Sequence, residues 1–76
     1  MLADQPSWIT PARQALGRRI AAARLDAGLT QERLAERSGI DRSTIQRIEL
    51  AQNDPRFSHL LLIAHALNLH VTELLR

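Results

Sequence analysis

One stretch near the middle of the chain constrains the fold most, because it has the pattern of two short helices joined by a tight turn. Thr30 can cap a first helix over residues 31–38, and Gly39 suits the left-handed position that ends a helix. Asp41 is a good N-cap for a second helix over residues 42–50. The rest of the chain is expected to pack around this pair.

Four residues in this stretch have the spacing that a close crossing of two helices requires. Ala35 is small enough to let the second helix cross nearby, and Gly39 enters the turn without a Cβ penalty. Ile45 and Ile48 lie on one side of the second helix, which points that side to the interior. A plain helical hairpin does not need all four, so the spacing favours a helix-turn-helix.

The other side of the second helix is polar. On a helical wheel with Arg42 at zero, Gln46 lies at about 40°, Ser43 at about 100° and Arg47 at about 140°. Their guanidinium, amide and hydroxyl groups can all hydrogen-bond the edges of DNA bases. Any solvated amphipathic helix also shows a polar face, so this face alone does not distinguish a binding surface from a surface that is only exposed to solvent.

At these residues the sequence resembles the phage repressor and Cro type of helix-turn-helix domain, the XRE-like family. The resemblance extends from about Leu16 to Leu75. It includes Gly28-Leu29-Thr30-Gln31 before the second helix, Ile48-Glu49 at the end of the third, and the segments 53–57 and 67–75. It implies an all-α fold, a compact five-helix bundle of the lambda-repressor-like DNA-binding domain type, whose third helix enters the major groove.

The sequence departs from the family pattern at Leu50-Ala51, where the family usually has a polar residue followed by glycine. The polar residue often contacts phosphate in the family, so Leu50 removes that expectation here. Ala51 predicts either a less sharp end of the third helix or a different loop.

The resemblance also implies roles for particular residues. The expected base contacts come from the third helix: Arg42, Ser43, Gln46 and Arg47. The expected DNA-backbone contacts are Gln31, which would also brace the recognition helix, and Thr30. Arg18 and Arg19, from the cluster of arginines before the motif, are also expected to face the DNA backbone from the first helix. The expected dimer contacts lie in the last two helices: Leu62, Val71, Leu74 and Leu75. Leu62 falls outside the predicted core stripe, so it is either a simple exposed leucine or part of a partner surface.

The remaining helices follow from apolar periodicity and capping residues. A first helix is predicted from a Thr10 cap and Pro11 to about Ala27, with core residues Leu16, Ile20, Ala23 and Ala27. A fourth helix is predicted over 57–67, with an inward stripe of Phe57, Leu60, Leu61, Ala64 and Leu67. Asn68 is its predicted C-cap, and a short last helix spans 71–75. Residues 1–10 are predicted to be a flexible arm and residues 11–76 one DNA-binding domain.

Composition excludes several classes of protein. The chain has 76 residues, no cysteine and 45% hydrophobic residues, so it predicts one small domain without disulfides or thiolate metal sites. No apolar run reaches membrane-spanning length, and the first ten residues lack the pattern of a signal peptide. The net charge of +2 is a weak basic excess, although all ten basic residues are arginine. A cytoplasmic location is therefore expected.

No catalytic pattern occurs in the sequence. His59, His65 and His70 do not have the spacing of metal ligands, and the serines lack nearby histidine and acid partners. We expect no enzyme activity, no metal and no cofactor.

Two functions remain open. The first is a sequence-specific DNA-binding transcriptional regulator, a repressor that binds double-stranded DNA as a homodimer. The second is a protein-interaction module, such as the antitoxin of a toxin–antitoxin pair, with a protein partner on the apolar last helix and Leu62. Binding to genomic DNA fragments, against capture of a protein from nuclease-treated lysate, distinguishes the two.

Overall fold

The computed structural model describes residues 5–76, and within this range the chain forms five helices and no strand. The helices are α1 (Ile9–Asp26), α2 (Gln31–Ser38), α3 (Arg42–Glu49), α4 (Phe57–Ala66) and α5 (Thr72–Leu75). The predicted all-α, five-helix fold is confirmed. The first four residues of the predicted arm lie outside the described residues, and the predicted domain boundary stays a prediction.

The core is built almost entirely from branched aliphatic side chains contributed by all five helices. The fully buried ones are Ile20, Leu34, Ile45, Ile48, Ile63 and Leu74. Because Ile45 and Ile48 are among them, the predicted inward face of α3 is confirmed. Burial of each such side chain stabilises the fold by about 1.5–3 kcal/mol, which is a large share of the stability of a domain this small.

The helix starts depend on local capping. The Thr30 hydroxyl accepts the N–H of Arg33 at 3.1 Å, and an Asp41 carboxylate oxygen accepts the N–H of Ser43 at 3.1 Å, so both predicted caps are confirmed. The predicted Thr10 cap is wrong, since α1 already begins at Ile9 and Trp8 occupies the cap position.

The earlier start of α1 has a backbone cause. Ile9 donates to the carbonyl of Pro6 at 3.1 Å and Ala12 donates to that of Trp8, so the chain turns helical before it reaches Thr10. Pro11 still lies in the first turn, where its missing N–H leaves no helical hydrogen bond unmade.

Within residues 5–76, four helices end with one residue in the left-handed conformation, and after α2 it is the predicted Gly39, with φ of 76°. In the other three, the same pair of hydrogen bonds closes the helix. Their left-handed residues are Gly28 after α1, Ala51 after α3 and Asn68 after α4, with φ of 72°, 58° and 58°. After α3, Gln52 donates to the carbonyl of Arg47 at 2.8 Å and Ala51 to that of Ile48 at 3.1 Å. This is the Schellman pattern, so α3 ends sharply although alanine stands where glycine is favoured. The predicted Asn68 cap is confirmed.

The inward face of α4 differs from the predicted stripe. Phe57 and Leu61 are 60% and 45% exposed, whereas Ile63 is fully buried. The sequence of α4 contains two overlapping apolar stripes with helical spacing, one that begins at Phe57 and one that begins at Leu60. The second stripe is the one that packs into the core. Leu60, Ala64 and Leu67, which belong to the second stripe, are buried as predicted.

The position of α1 is set by a close backbone contact with α3. Gly17 is buried, and a Cβ atom at this position would lie 2.5 Å from the Glu49 carbonyl oxygen and 2.7 Å from that of Ile48. Ile20 is buried as predicted, while Leu16 and Ala23 pack against the core. Ala27 was predicted in the same stripe but is exposed, because it caps the helix beyond its last turn.

No helix within residues 5–76 combines the length and the apolar character that crossing a membrane requires.

Candidate nucleic-acid interface

The structure brings the four predicted base-contacting side chains together on the outward face of α3. Arg42, Ser43, Gln46 and Arg47 are all exposed, directly opposite the buried isoleucines of the same helix. Neither arginine has an ion-pair partner among residues 5–76, so both guanidinium groups are available to a ligand. Their contacts with bases stay a prediction.

The first turn of α3 is organised by Asp41. Its carboxylate accepts both the hydroxyl and the backbone N–H of Ser43, and these hydrogen bonds, that of the hydroxyl first, hold the pKa of Asp41 below its usual range. The Arg47 guanidinium contributes a smaller effect in the same direction. Because the Ser43 hydroxyl donates to Asp41, its oxygen is left as an acceptor at the outer surface.

A nearly buried ion pair fixes the other end of α3. The Arg24 guanidinium of α1 donates to both carboxylate oxygens of Glu49, with distances of 2.7 Å from Nε and 3.1 Å from Nη2. Its third hydrogen bond, 2.8 Å long, goes to the Leu29 carbonyl before α2. The side chains of Arg24 and Glu49 are only 12% and 6% exposed. This two-pronged geometry restricts α3 to one orientation relative to α1.

Gln31 completes this network from the start of α2. Its side-chain amide donates to a Glu49 carboxylate oxygen at 3.0 Å, and the residue is half-buried. This contact supplies the expected brace between α2 and α3. The expected phosphate contacts of Gln31 and Thr30 stay predictions. Thr30 is exposed but uses its hydroxyl to cap α2.

The arginines of the chain divide into paired and available groups. Arg13 lies 3.6 Å from Asp54, and Arg33 lies 3.7 Å from Glu36. Arg18 is exposed and Arg19 half-buried on α1, and neither forms an ion pair within residues 5–76. Both charges are thus available for the predicted DNA-backbone contacts.

The predicted dimer residues do not all lie at the surface. Leu62 and Leu75 are 44% and 48% exposed, and Val71 is half-buried. Leu74 is completely buried within the chain, so it has no surface to offer a partner. Its expected interface role is therefore corrected to that of a core residue, because it belongs to the cluster of buried side chains. The exposed Leu61 lies beside Leu62 instead.

Sequence reasoning missed two residues at this interface. It assigned no role to Arg24, and nothing local marks its partner Glu49, which follows 25 positions later. Sequence reasoning considered Leu50 only because it replaces a polar residue that often contacts phosphate in the family. Extending the helical wheel by one turn from Gln46 puts Leu50 near 80°, about the centre of the polar arc.

The three histidines lie apart from α3 in sequence. His59 is half-buried near the start of α4, while His65 and His70 are exposed. Within residues 5–76, no cluster of three or more histidine, cysteine or acidic side chains could hold a metal ion.

Comparisons with known proteins agree with this geometry. A model of the helix-turn-helix family matches residues 20–74. The crystal structure of the restriction-modification controller protein C.AhdI from Aeromonas hydrophila is similar, with 36% sequence identity and a TM-score of 0.79. The match covers 80% of this chain and 92% of that one. The comparison with curated proteins found no match. The expected family and fold type are thus confirmed.

Proposed function

Because the chain belongs to the helix-turn-helix family of DNA-binding transcriptional regulators, we propose that it recognises a specific DNA sequence through α3 and represses transcription there. One observation carries this proposal. The outward face of α3 presents two arginines and a glutamine amide to solvent, while its inward face and its last residue are held by the core and by Arg24. Such a rigid, hydrogen-bonding helix matches the width of the major groove.

Each exposed side chain suits a particular base edge. Arg42 and Arg47 can each donate two hydrogen bonds to O6 and N7 of a guanine, and Gln46 can pair with N6 and N7 of an adenine. Ser43, whose hydroxyl already donates to Asp41, can accept from an amino group of cytosine or adenine. These four residues would carry the sequence preference.

A second set of residues would hold the DNA backbone. Gln31 and Thr30 lie at the N-terminal end of α2, where free N–H groups and the helix dipole favour a phosphate. Arg18 and Arg19 on α1, which form no ion pair within residues 5–76, would add charge without reading sequence.

We propose further that two copies bind a two-fold symmetric operator. Leu62 and Leu75 are exposed apolar side chains near the end of the chain, and Val71 lies between them in sequence. A dimer formed there would place two copies of α3 about 34 Å apart on one face of the duplex. An operator that overlaps a promoter would then exclude RNA polymerase, which is the physical basis for repression.

The proposal can be tested by selecting bound duplexes from a random DNA library and then measuring variants on the selected site. Arg42→Ala and Arg47→Ala should each weaken specific binding by about 1–3 kcal/mol and relax the preference at particular base pairs. Arg76→Ala is the matched control, because it removes the same charge from the exposed end of the chain. If the two α3 variants keep the ratio of specific to scrambled binding, α3 does not read the sequence.

A second measurement is needed to distinguish repression from activation of transcription. A reporter gene placed behind the selected site should lose expression when the protein is present, and Arg47→Ala should restore it. An increase of expression would instead indicate an activator.

The protein-interaction alternative rests on the exposed leucines of α4, Leu61 and Leu62. It predicts that DNA binding is secondary and that the protein retains a protein partner from nuclease-treated lysate. Replacing either leucine with glutamate should then abolish that capture.

A further inference from the structure

Leu50 is an apolar side chain in the middle of a polar binding face. Its N–H donates to the carbonyl of Gln46 at 3.0 Å, so it still lies on the helical path of α3. The helical wheel places it at about 80°, between Gln46 and Ser43. It is 58% exposed, whereas the two apolar side chains of α3 that face inward are fully or almost fully buried. Leu50 therefore lies on the same exposed face of α3 as the residues proposed to contact bases.

The position of Leu50 is fixed by both of its neighbours. On one side, the Glu49 side chain is held by Arg24 and Gln31, and the Glu49 carbonyl lies against Gly17. On the other side, Ala51 takes the left-handed conformation and the next residue closes the helix end. A side chain whose backbone is held at a set position can select a ligand group by fit, because little backbone freedom is lost on binding.

The major groove of ordinary DNA exposes one strongly apolar group, the C5 methyl of thymine. We propose that Leu50 selects a 5-methylpyrimidine, a thymine or a 5-methylcytosine, at one position of each half-site. This inference rests on the proposed function. Leu50 lies about 4.5 Å beyond Arg47 along the helix axis, because each residue adds 1.5 Å. The methyl group would therefore belong to a base one or two steps from the base that Arg47 reads.

The surroundings of Leu50 favour a methyl group over a protein partner. The neighbouring side chains on the face of α3 are Gln46, Ser43 and Arg47, all polar and exposed. A protein-docking site is normally a continuous apolar patch of a few hundred Å². A single apolar group on a helix face of hydrogen-bonding side chains instead matches the edge of a base pair, where one methyl lies among donors and acceptors.

The test changes the DNA first. In the duplex selected by the wild-type protein, each thymine is replaced in turn by uracil, which removes only the C5 methyl. At one position per half-site the affinity should fall about fourfold, the effect of uncovering one buried methyl group. Where cytosine stands at that position, 5-methylcytosine should raise the affinity by about the same factor. These two substitutions also distinguish the two sources of the methyl group.

The protein variants assign the effect to Leu50. Leu50→Ala should bind thymine and uracil duplexes equally, and 5-methylcytosine should bring it no gain. Leu25→Ala is the matched control, because Leu25 is a similarly exposed leucine, 65%, at the far end of α1, and it should keep the wild-type ratio. Circular dichroism melts of all three proteins verify that they are folded.

The possible failures are distinguishable. If the wild-type protein selects a sequence but no C5 methyl affects its affinity, the inference about Leu50 is overturned and the proposed function stands. The same holds if Leu50→Ala keeps the wild-type methyl preference. If the wild-type protein selects no sequence at all, both are overturned.

Discussion

At the scale of single residues, the helix ends show how one backbone motif tolerates three different side chains. Gly28, Ala51 and Asn68 all take positive φ, with the same pair of hydrogen bonds closing each helix. Glycine does this without strain and asparagine at small cost, but alanine pays a steric penalty of about 1–2 kcal/mol. Ala51 is held in place by the loop that follows α3, and it stores strain next to the proposed binding face.

Ala51→Gly should therefore stabilise the fold, although glycine also gains entropy in the unfolded chain. The relief of strain exceeds that entropy term of about 0.4–1 kcal/mol, so we expect a net gain of up to about 1 kcal/mol. Urea unfolding followed by circular dichroism measures it. Asn68→Gly is the control and should change stability much less. A destabilised Ala51→Gly protein would show that the alanine conformation carries no strain.

Asp41 makes the stability depend on acid. Its pKa is lowered in the folded protein, first by the Ser43 hydroxyl and then by backbone N–H groups, so folding favours its charged form. The stabilising contribution is complete above the ordinary value of 3.8 and is lost as pH falls through the lowered value.

Urea unfolding at pH 7 and at steps below pH 4 should show this loss in the wild-type protein. Asp41→Asn keeps a capping side chain but cannot titrate, so its free energy of unfolding should fall less over the same range. Equal acid sensitivity of the two proteins would assign the effect to other carboxylates.

At the scale of elements, the backbone contact between α1 and α3 sets the position of α3. Gly17 allows the two helices to approach until its Cα faces the carbonyls of Ile48 and Glu49. Both obstructing atoms belong to the backbone, which moves less easily than a side chain. A single added methyl group must therefore push the helices apart.

Gly17→Ala should destabilise the protein by about 1–3 kcal/mol, the usual cost of overpacking, although alanine favours helix by about 1 kcal/mol. It should also weaken DNA binding, because α3 moves. Arg18→Ala, the next residue, is exposed and should change the free energy of unfolding by less than about 0.5 kcal/mol. Thermal melts of both variants provide the comparison. A Gly17→Ala protein as stable as wild type would mean that the contact is looser than the structure shows.

The elements also show what sequence could and could not predict. Caps such as Thr30, Asp41 and Asn68 were predictable because their chemistry involves residues only two to four positions away. The stripe of α4 was not, since two apolar stripes overlap and only packing against the other helices selects Ile63 over Phe57. The residues of the candidate binding face were predicted from the helical wheel together with the family resemblance, because a polar face by itself is common to amphipathic helices. The Arg24–Glu49 pair that orients this face joins distant parts of the chain and left no local signal.

At the scale of the whole molecule, the leucines near the C-terminus have two different tasks. Leu74 fills the core, whereas Leu62 and Leu75 remain close to half exposed. A chain of 76 residues has a modest core, so a second copy that covers these side chains would add burial that one copy lacks.

We expect Leu62→Glu and Leu75→Glu to shift the protein to a monomer and to weaken operator binding in parallel. Leu74→Ala should instead lower the stability of the fold by about 2–5 kcal/mol, as a buried leucine does. Sedimentation equilibrium measures the association, and Leu25→Glu is the exposed control on α1. If both glutamate variants still associate like wild type, the interface lies elsewhere on the chain.

The ion pair between Arg24 and Glu49, joined by Gln31, has a kinetic consequence. Since it orients α3 before any DNA arrives, binding requires no slow reordering of the helices. The association rate should then be set by diffusion and by the attraction between DNA phosphates and the arginines that form no ion pair within residues 5–76. This rate should fall as salt is added. Different operators would bind at similar speeds, and the lifetime of each complex would decide which one the protein occupies.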